Sequence, residues 1–314
     1  MSLDVITPGE AMVLFAAQQA GPLDQVASFA KTTAGAELNV AIGLARLGLR
    51  VGYISRLGAD SFGRFIAAAL DREGIDRHQV AVDADHPTGF MLKSRSDDGS
   101  DPRTEYFRRG SAASRLGAAD NPRAYCATSR HLHLTGIFPA VSSDTRALAF
   151  DLAADARAAG RTVSFDPNLR PSLWRSQGDM VACLNRLAAL SDWVLPGLAE
   201  GQLLTGHDNP AAIADFYLGQ GARVVVIKLG AAGAYYASAT ERGLAPGLPV
   251  ARVVDTVGAG DGFAVGVISG LLEGLRLAAA AAAARGNAIG ARVVQFPGDC
   301  DGLPTRQELD AFAS

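Results

Sequence analysis

Short apolar runs alternate with helical segments along most of this chain, and that alternation restricts the fold more than any other feature. Buried strands are predicted for residues 51–55, 130–135, 162–166, 192–195 and 223–228. Helices are predicted for residues 37–47, 62–73, 143–159, 180–190 and 213–220. This order is typical of an α/β protein with a mostly parallel sheet covered by helices on both faces. Ligands of such proteins bind beyond the carboxyl ends of the strands.

Two segments interrupt the alternation and predict a second, smaller sheet. Residues about 12–33 contain short apolar pieces, and residues about 88–108 contain a β-hairpin pattern with a turn at 97–100. No linker rich in proline, serine or charge divides the 314 residues. We therefore expect a single domain over 1–314, with the small sheet formed by these two insertions.

Composition limits the partners and the compartment. The net charge of −3 and the pI of about 6.0 argue against a nucleic-acid partner. No apolar run reaches the ~20 residues of a membrane span, and the first residues lack the pattern of a signal peptide. Cys126, Cys183 and Cys300 are far apart and form neither a metal-ligand spacing nor a disulfide framework. We expect a cytoplasmic protein without a membrane partner.

The strongest candidate for chemistry is the segment Asp255-Thr-Val-Gly-Ala-Gly-Asp-Gly-Phe263. It lies between an apolar run at 248–254, which predicts a strand, and residues 264–272, which predict a buried helix. Glycines at a helix start leave backbone N–H groups open, and the helix dipole favours an anion such as phosphate there. Asp261 would repel a phosphate, which makes sense if it takes the proton from an attacking hydroxyl. An ordinary glycine turn with an aspartate in the first helical turn would show the same spacing.

This segment resembles the D-T-x-G-A-G-D signature of the ribokinase-like sugar kinases, the PfkB family. The resemblance implies a three-layer α/β/α sandwich with a mostly parallel central sheet and a small β-sheet lid over the sugar, which often also forms a homo-oligomer contact. It further implies that Asp261 is the catalytic base. Gly258, Ala259 and Gly260 would supply the anion hole for the transferring phosphoryl group.

A second block, Ala34-Gly-Ala-Glu-Leu-Asn-Val-Ala41, is similar to the family's N-terminal signature G-G-x-x-x-N-x-A. Ala34 stands where the first glycine is common. The similarity implies that Gly35 and Asn39 contact the sugar. Without it, the block would suit the capped start of an ordinary amphipathic helix.

Two further segments resemble one subgroup of the family, the 2-keto-3-deoxygluconate kinases. Tyr106 and Arg108 alternate in a strand-like run and therefore share a face, where a ring can cover a sugar and a guanidinium can hold a carboxylate. The matching segments are the string Y-x-R-x-G-S-A-A-S, which begins at Tyr106, and the string D-x-N-x-R-P-x-L-W, which contains Arg170. The resemblance implies that Tyr106, Arg108 and Arg170 bind an acid sugar, with Phe90 and Asp299 as further substrate contacts.

The prediction of the residues that contact the nucleotide depends more heavily on the resemblance. Residues 224–233 read as a buried strand that enters a Gly-x-x-Gly turn, a pattern that a plain strand–turn–strand would also show. The family implies ATP contacts from Lys228, Gly230, Gly233, Gly258, Gly260 and Asn287. It also implies that Glu200 holds Mg²⁺ through water, although Gly197 replaces the asparagine of the family's N-x-x-E element. Asp255 is a further candidate near the site, whereas His131 and His133 favour packing over metal binding.

We therefore expect ATP-dependent phosphorylation of a small sugar acid, with 2-keto-3-deoxygluconate converted to its 6-phospho product. Three alternatives remain open at this point: a kinase of a neutral sugar such as ribose or fructose, a sugar-acid sensor without catalysis, and a nicotinamide-dependent oxidoreductase. The intact Asp261 argues against the sensor. The absence of G-x-G-x-x-G after the first strand argues against the oxidoreductase.

Overall fold

Two β-sheets organise the chain in the computed structural model, which describes residues 2–95, 102–274 and 278–312. The strands are β1 (Leu3–Pro8), β2 (Met12–Ala20), β3 (Phe29–Ala34), β4 (Val51–Gly58), β5 (Asp76–Asp83), β6 (Phe90–Arg95), β7 (Thr104–Phe107), β8 (Ser129–Thr135), β9 (Thr162–Asp166), β10 (Trp193–Val194), β11 (Val224–Lys228), β12 (Gly233–Ser238) and β13 (Arg242–Pro246). The helices are α1 (Ala36–Arg46), α2 (Ser61–Arg72), α3 (Arg123–Cys126), α4 (Phe138–Val141), α5 (Ser143–Ala158), α6 (Gln177–Ala188), α7 (Leu198–Thr205), α8 (Pro210–Gly219), α9 (Ala259–Leu272), α10 (Ala278–Val293) and α11 (Arg306–Phe312).

The larger sheet has nine strands in the order β13-β12-β11-β10-β9-β8-β1-β4-β5. The seven strands from β11 to β5 in this order pair in parallel, and β12 and β13 continue the sheet in antiparallel pairing. Sequence reasoning did not single out the interior strand β1, which pairs with both β4 and β8. The mostly parallel sheet is as predicted.

Side chains of the larger sheet alternate between two separate hydrophobic cores. On β11, Val224 and Val226 pack in the core that contains residues of α1, α2, α9 and α10. The intervening Val225 and Ile227 pack in the core that contains residues of α5, α6 and α8. Because successive side chains of a strand point to opposite faces, these two cores lie on opposite faces of the sheet. The molecule is thus a three-layer α/β/α sandwich.

The smaller sheet, which we call the lid, has four strands in the order β3-β2-β6-β7. β2 and β3 come from the first insertion, and β6 and β7 pair as an antiparallel hairpin, with Met91 opposite Tyr106. The turn predicted at 97–100 lies outside the described residues. The register places Met91, Lys93, Thr104 and Tyr106 on one face of the lid, and it places Phe90 and Phe107 on the other.

One predicted strand is wrong. Residues 247–256 form a loop after β13, and the prediction of a strand at 248–254 needs correction. β13 is the edge of the sheet, and Pro249 has no N–H to donate to another strand. Val254 and Asp255 donate their N–H groups to the single carbonyl of Val294 instead. The strand predicted at 192–195 is confirmed but spans only Trp193–Val194.

His131 and His133 are core residues, as predicted. Both are fully buried, the His131 ring stacks 4.5 Å from that of Trp193, and Ser164 Oγ contacts one ring nitrogen of each. Burial lowers the pKa of His133 to about 3, so the ring stays neutral at physiological pH. In the part of the chain that is described, no helix is long and apolar enough to cross a membrane.

Candidate active site

A cleft of about 1330 Å³ lies between the lid and the carboxyl ends of the parallel strands. Residues that follow or end β1, β9 and β11 form its floor, and Met12, Met91, Thr104 and Tyr106 of the lid form its roof. The cleft brings together most of the site residues predicted from sequence, namely Gly35, Asn39, Tyr106, Arg108, Arg170, Glu200, Lys228, Gly258, Gly260, Asp261 and Asp299.

Asp261 lies in the first turn of α9 with its carboxylate fixed by two amides. Asn39 Nδ2 on α1 donates to Oδ2 at 2.8 Å, and Asn168 Nδ2 lies 3.4 Å from Oδ1. Asn168 is a site residue that sequence reasoning missed. Among the described non-glycine residues it alone has a positive φ, of 39°, and a strained backbone of this kind concentrates at functional sites.

The environment of Asp261 raises the pKa of its carboxyl group towards neutral pH. Burial raises the pKa of the Asp261 carboxyl to about 7, the charges of Asp166 and Asp299 add to the rise, and the hydrogen bond from Asn39 opposes it. A carboxyl group with such a pKa can release and take up a proton near neutral pH. Its position and its pKa together suit a general base.

The turn at residues 257–258, which we call the Gly258 turn, precedes α9 and requires glycine at position 258. Gly258 has φ of +83°, and a Cβ there would lie 2.2 Å from the carbonyl oxygen of Asp299. A Cβ on Gly260 would lie 3.7 Å from Lys228 Nζ. The open N–H groups of a helix start and a lysine ammonium therefore meet at one place, which is a suitable arrangement for an anion. Ala259, the first residue of α9, is not among the residues that line the cleft.

Lys228 at the end of β11 forms a nearly buried ion pair with Asp166 at the end of β9. Its Nζ lies 2.8 Å from both carboxylate oxygens of Asp166 and 3.9 Å from Glu200 Oε2. Burial raises the pKa of Asp166 to about 6, although the ammonium opposes that rise. Burial would lower the pKa of Lys228, but the charges of Asp166 and Glu200 outweigh it and raise that pKa.

Glu200 has a backbone role that the sequence did not indicate. Its Oε1 accepts the N–H of Leu169 at 2.8 Å, and its Oε2 accepts the N–H of Gly197 at 2.6 Å. The carboxylate thereby joins the start of α7 to the loop after β9. Each oxygen keeps a second lone pair for a water molecule.

Arg108 in the cleft already has a carboxylate partner. It forms an ion pair with Glu10, a buried residue after β1, whose other oxygen accepts from Ser111 Oγ at 2.5 Å. Glu10 is a second residue that sequence reasoning missed. Its carbonyl oxygen also explains Gly35, since a Cβ there would lie 2.6 Å from it and φ is +142°. Arg170 is exposed on the loop after β9, where its guanidinium donates to the Leu169 carbonyl at 2.9 Å.

The prediction that Phe90 contacts the substrate needs correction, because Phe90 does not line the cleft. Because side chains alternate along β6, Met91 faces the cleft and Phe90 faces away. Phe90 instead packs with other aromatic rings, stacked on Phe107 at 4.6 Å and lying 5.6 Å from Phe62. The sequence run at 87–90 did not specify the register that decides this.

Three residues predicted to contact nucleotide do not line the cleft: Gly230, Gly233 and Asn287. Gly233 has φ of +102°, and a Cβ there would lie 2.2 Å from the Ala245 carbonyl oxygen. Asn287 Nδ2 donates to the carbonyls of Ala245 at 2.9 Å and Pro246 at 3.0 Å. Gly233 packs closely against β13, and Asn287 joins β13 to α10. A direct contact of ATP with any of the three residues stays a prediction.

The chain is similar to known proteins over nearly its whole length. Residues 3–306 match the family model described as pfkB family carbohydrate kinase. The chain is 53% identical over 315 residues to the 2-dehydro-3-deoxygluconokinase of Bacillus subtilis (strain 168). The match covers 100% of this chain and 96% of that relative. The crystal structure of a PfkB protein from Polaromonas sp. JS666 matches with a TM-score of 0.92 and 53% identity, over 99% and 100% of the two chains.

A more distant structure contains ligands. The crystal structure of an E. coli protein described as ribokinase II, in complex with ATP and Mg²⁺, matches with a TM-score of 0.88 and 27% identity over 99% of each chain. The predicted ribokinase-like sandwich with a small lid sheet is confirmed.

Proposed function

The chain belongs to the pfkB family of carbohydrate kinases, and on that basis we propose that it transfers the γ-phosphoryl group of ATP to a hydroxyl of 2-keto-3-deoxygluconate. The observation that carries this proposal is the placement of Asp261 between the Gly258 turn and a cleft with an arginine, Arg170, on its wall. The full-length identity of 53% to a kinase of this sugar acid supports the choice of substrate. The test is ATP-dependent product formation with this sugar acid and with ribose and fructose.

The reaction needs one proton acceptor and one anion site, and the cleft supplies both. The acceptor hydroxyl loses its proton to an Asp261 oxygen, which Asn39 and Asn168 hold in place. The hydroxyl oxygen forms a bond to the γ-phosphorus while the bond from that phosphorus to the bridging oxygen of ADP breaks. The N–H groups of the Gly258 turn and the ammonium of Lys228 stabilise the charge of the transferring group.

The residues present are compatible with Mg²⁺ held mainly by nucleotide oxygens and water. Among the described residues, no group of three or more His, Cys, Asp or Glu side chains is arranged to hold a metal directly. The Glu200 carboxylate lines the cleft and retains lone pairs for water ligands. The ion would neutralise phosphate charge during transfer.

Selectivity for an acid sugar should depend more on Arg170 than on Arg108, because Glu10 already neutralises Arg108. Arg170→Leu should lower kcat/KM for 2-keto-3-deoxygluconate by about 100-fold, the scale of a lost charge-assisted pair, and leave any activity on neutral sugars within about threefold. Arg175→Leu, on the same loop but outside the cleft lining, is the matched control. An equal loss on acid and neutral sugars would contradict the role of Arg170.

Activity should also depend on the ionisation of Asp261. Only the deprotonated carboxyl accepts a proton, and its pKa is about 7. Below that pH, kcat/KM for the sugar acid should fall about tenfold per pH unit, and above it the rate should level off. Steady-state rates from pH 5.5 to 8.5 at constant ionic strength measure this. A flat profile across pH 7 would exclude a base with this pKa.

We also propose a homo-oligomer formed through the lid face opposite the cleft. Phe107 on that face is 47% exposed and stacks on Phe90, which packs in turn against Phe15 and Phe62. Exposed aromatic groups of this kind favour a protein contact. The molar mass in solution tests this proposal.

A further inference from the structure

Lys93 is a buried lysine on the cleft face of the lid, and nothing in the proposed mechanism uses it. It lies on β6 and is only 3% exposed. Its Nζ lies 2.5 Å from Asp255 Oδ2 and 3.3 Å from Asp299 Oδ1. A cation of the lid therefore contacts two acidic residues that do not belong to the lid. Burial of a lysine requires such partners.

Both acidic residues border the Gly258 turn. Asp255 Oδ1 accepts the N–H of Val257 at 3.0 Å and so shapes the entry into the turn. The carbonyl oxygen of Asp299 packs directly on Gly258, at 2.2 Å from the position of a Cβ. Lys93 thus joins the lid to both sides of the segment that would bind the transferring phosphoryl group.

The charge balance at this place depends on Lys93. Asp255 and Asp299 are both nearly buried, with side chains 10% and 6% exposed, and a phosphate bound at the Gly258 turn would add negative charge beside them. Like charges in a region of low dielectric repel strongly unless a cation compensates. The other lid lysine of the described residues, Lys31, is exposed, and its Nζ lies over the Phe65 ring at 4.3 Å.

We propose that Lys93 is a positioning residue that couples the lid to the anion hole: its ammonium compensates Asp255 and Asp299 and holds the Gly258 turn in the shape that phosphoryl transfer requires. The inference rests on the proposed kinase function. It assigns to the lid a part in the chemistry that is distinct from covering the sugar.

Lys93→Met tests this with little change in side-chain length. We expect kcat to fall about 100-fold, as for the loss of one group that supports transition-state charge, while KM for the sugar acid stays within about fivefold because the sugar contacts remain. Lys93→Arg keeps the charge and should retain kcat within about tenfold. Lys31→Met, the same substitution in the same sheet, should behave like the wild-type enzyme.

A rescue separates charge compensation from simple support of the lid. In Lys93→Met/Asp255→Asn, the amide oxygen can still accept from Val257, and the lost positive charge is matched by a lost negative charge. We expect kcat to recover at least about tenfold relative to Lys93→Met. Should Lys93→Met fail to fold, recovery of folding and of kcat in the double variant is the same result, and Lys93→Arg gives a second measurement.

Ligand-binding measurements, which need no turnover, distinguish a failure of the proposed role of Lys93 from a failure of the proposed kinase function. A non-hydrolysable ATP analogue with Mg²⁺ should bind Lys93→Met about tenfold more weakly than the wild-type protein, whereas adenosine, which has no phosphate, should bind both equally. A kcat for Lys93→Met within about threefold of wild type, or no recovery in the double variant, would overturn the role of Lys93. Failure of wild-type protein to phosphorylate any sugar would instead reject the proposed function.

Discussion

Asp261→Asn should lower kcat for phosphorylation of 2-keto-3-deoxygluconate by between about 100- and 10,000-fold, the usual contribution of a general base. The substitution keeps the size of the side chain and an acceptor for Asn39, so the cleft should keep its shape. An amide cannot take up the proton of the acceptor hydroxyl. We therefore expect the sugar to bind within a few-fold of its wild-type affinity while turnover is lost.

Single-turnover kinetics and calorimetric binding of the sugar measure the two parts of this prediction. Asp144→Asn is the matched control, because it removes the same charge from an exposed position in the cleft lining. If kcat of Asp261→Asn stays within a few-fold of wild type, the assignment of the base is wrong.

The same variant should also be more stable at high pH. The folded-state pKa of Asp261, about 7, lies above the ordinary value of 3.8, so this carboxyl favours folding only when protonated. Its stabilising contribution is complete below the ordinary value and is lost as pH rises through about 7. The gain in melting temperature of Asp261→Asn over wild type should therefore be larger at pH 8 than at pH 5. Such a gain is typical of a catalytic residue that is held at the expense of stability.

Lys228→Met should lower the free energy of unfolding by about 3–5 kcal/mol at pH 8, because it leaves the buried carboxylate of Asp166 without its ion-pair partner. It should also reduce kcat, since the ammonium lies beside Gly260 at the proposed anion site. Denaturant unfolding at pH 8 measures the first effect. Lys31→Met, at an exposed lysine of the lid, is the control.

The pH dependence of this loss has a definite sign. Asp166 has a pKa raised to about 6 even with Lys228 present, and removal of the ammonium raises it further. A carboxyl with a raised pKa loses its contribution to stability as pH rises through that pKa. The deficit of Lys228→Met should therefore be smaller at pH 5 than at pH 8.

Asp166→Asn/Lys228→Met provides the complementary result. With both charges removed, most of the stability should return, while kcat stays low because the cation is still missing. A double variant as unstable as Lys228→Met would show that packing of the lysine stem, rather than its charge, explains the loss.

Local patterns in the sequence were sufficient to predict a mostly parallel sheet covered by helices on both faces, and they singled out residues 255–263 as a candidate catalytic segment. The period of apolar residues predicted the strands and helices because it reflects which side of each element is buried. The wrongly predicted strand, residues 248–254, is apolar but lies beyond the edge strand β13, and a sequence run does not reveal whether a neighbouring strand exists. The glycines around Asp261 were informative because Gly258 has a backbone conformation that other residues rarely adopt.

The partners of those residues came only from the tertiary structure. The sequence by itself determined that a carboxylate follows a glycine turn at a helix start, because spacing along the chain decides local geometry. It did not determine that Phe90 faces away from the cleft, that Glu10 forms an ion pair with Arg108, or that Lys93 forms ion pairs with Asp255 and Asp299. These contacts join positions up to 206 residues apart. They depend on the register of the lid and its placement over the larger sheet, which the whole packed chain decides together.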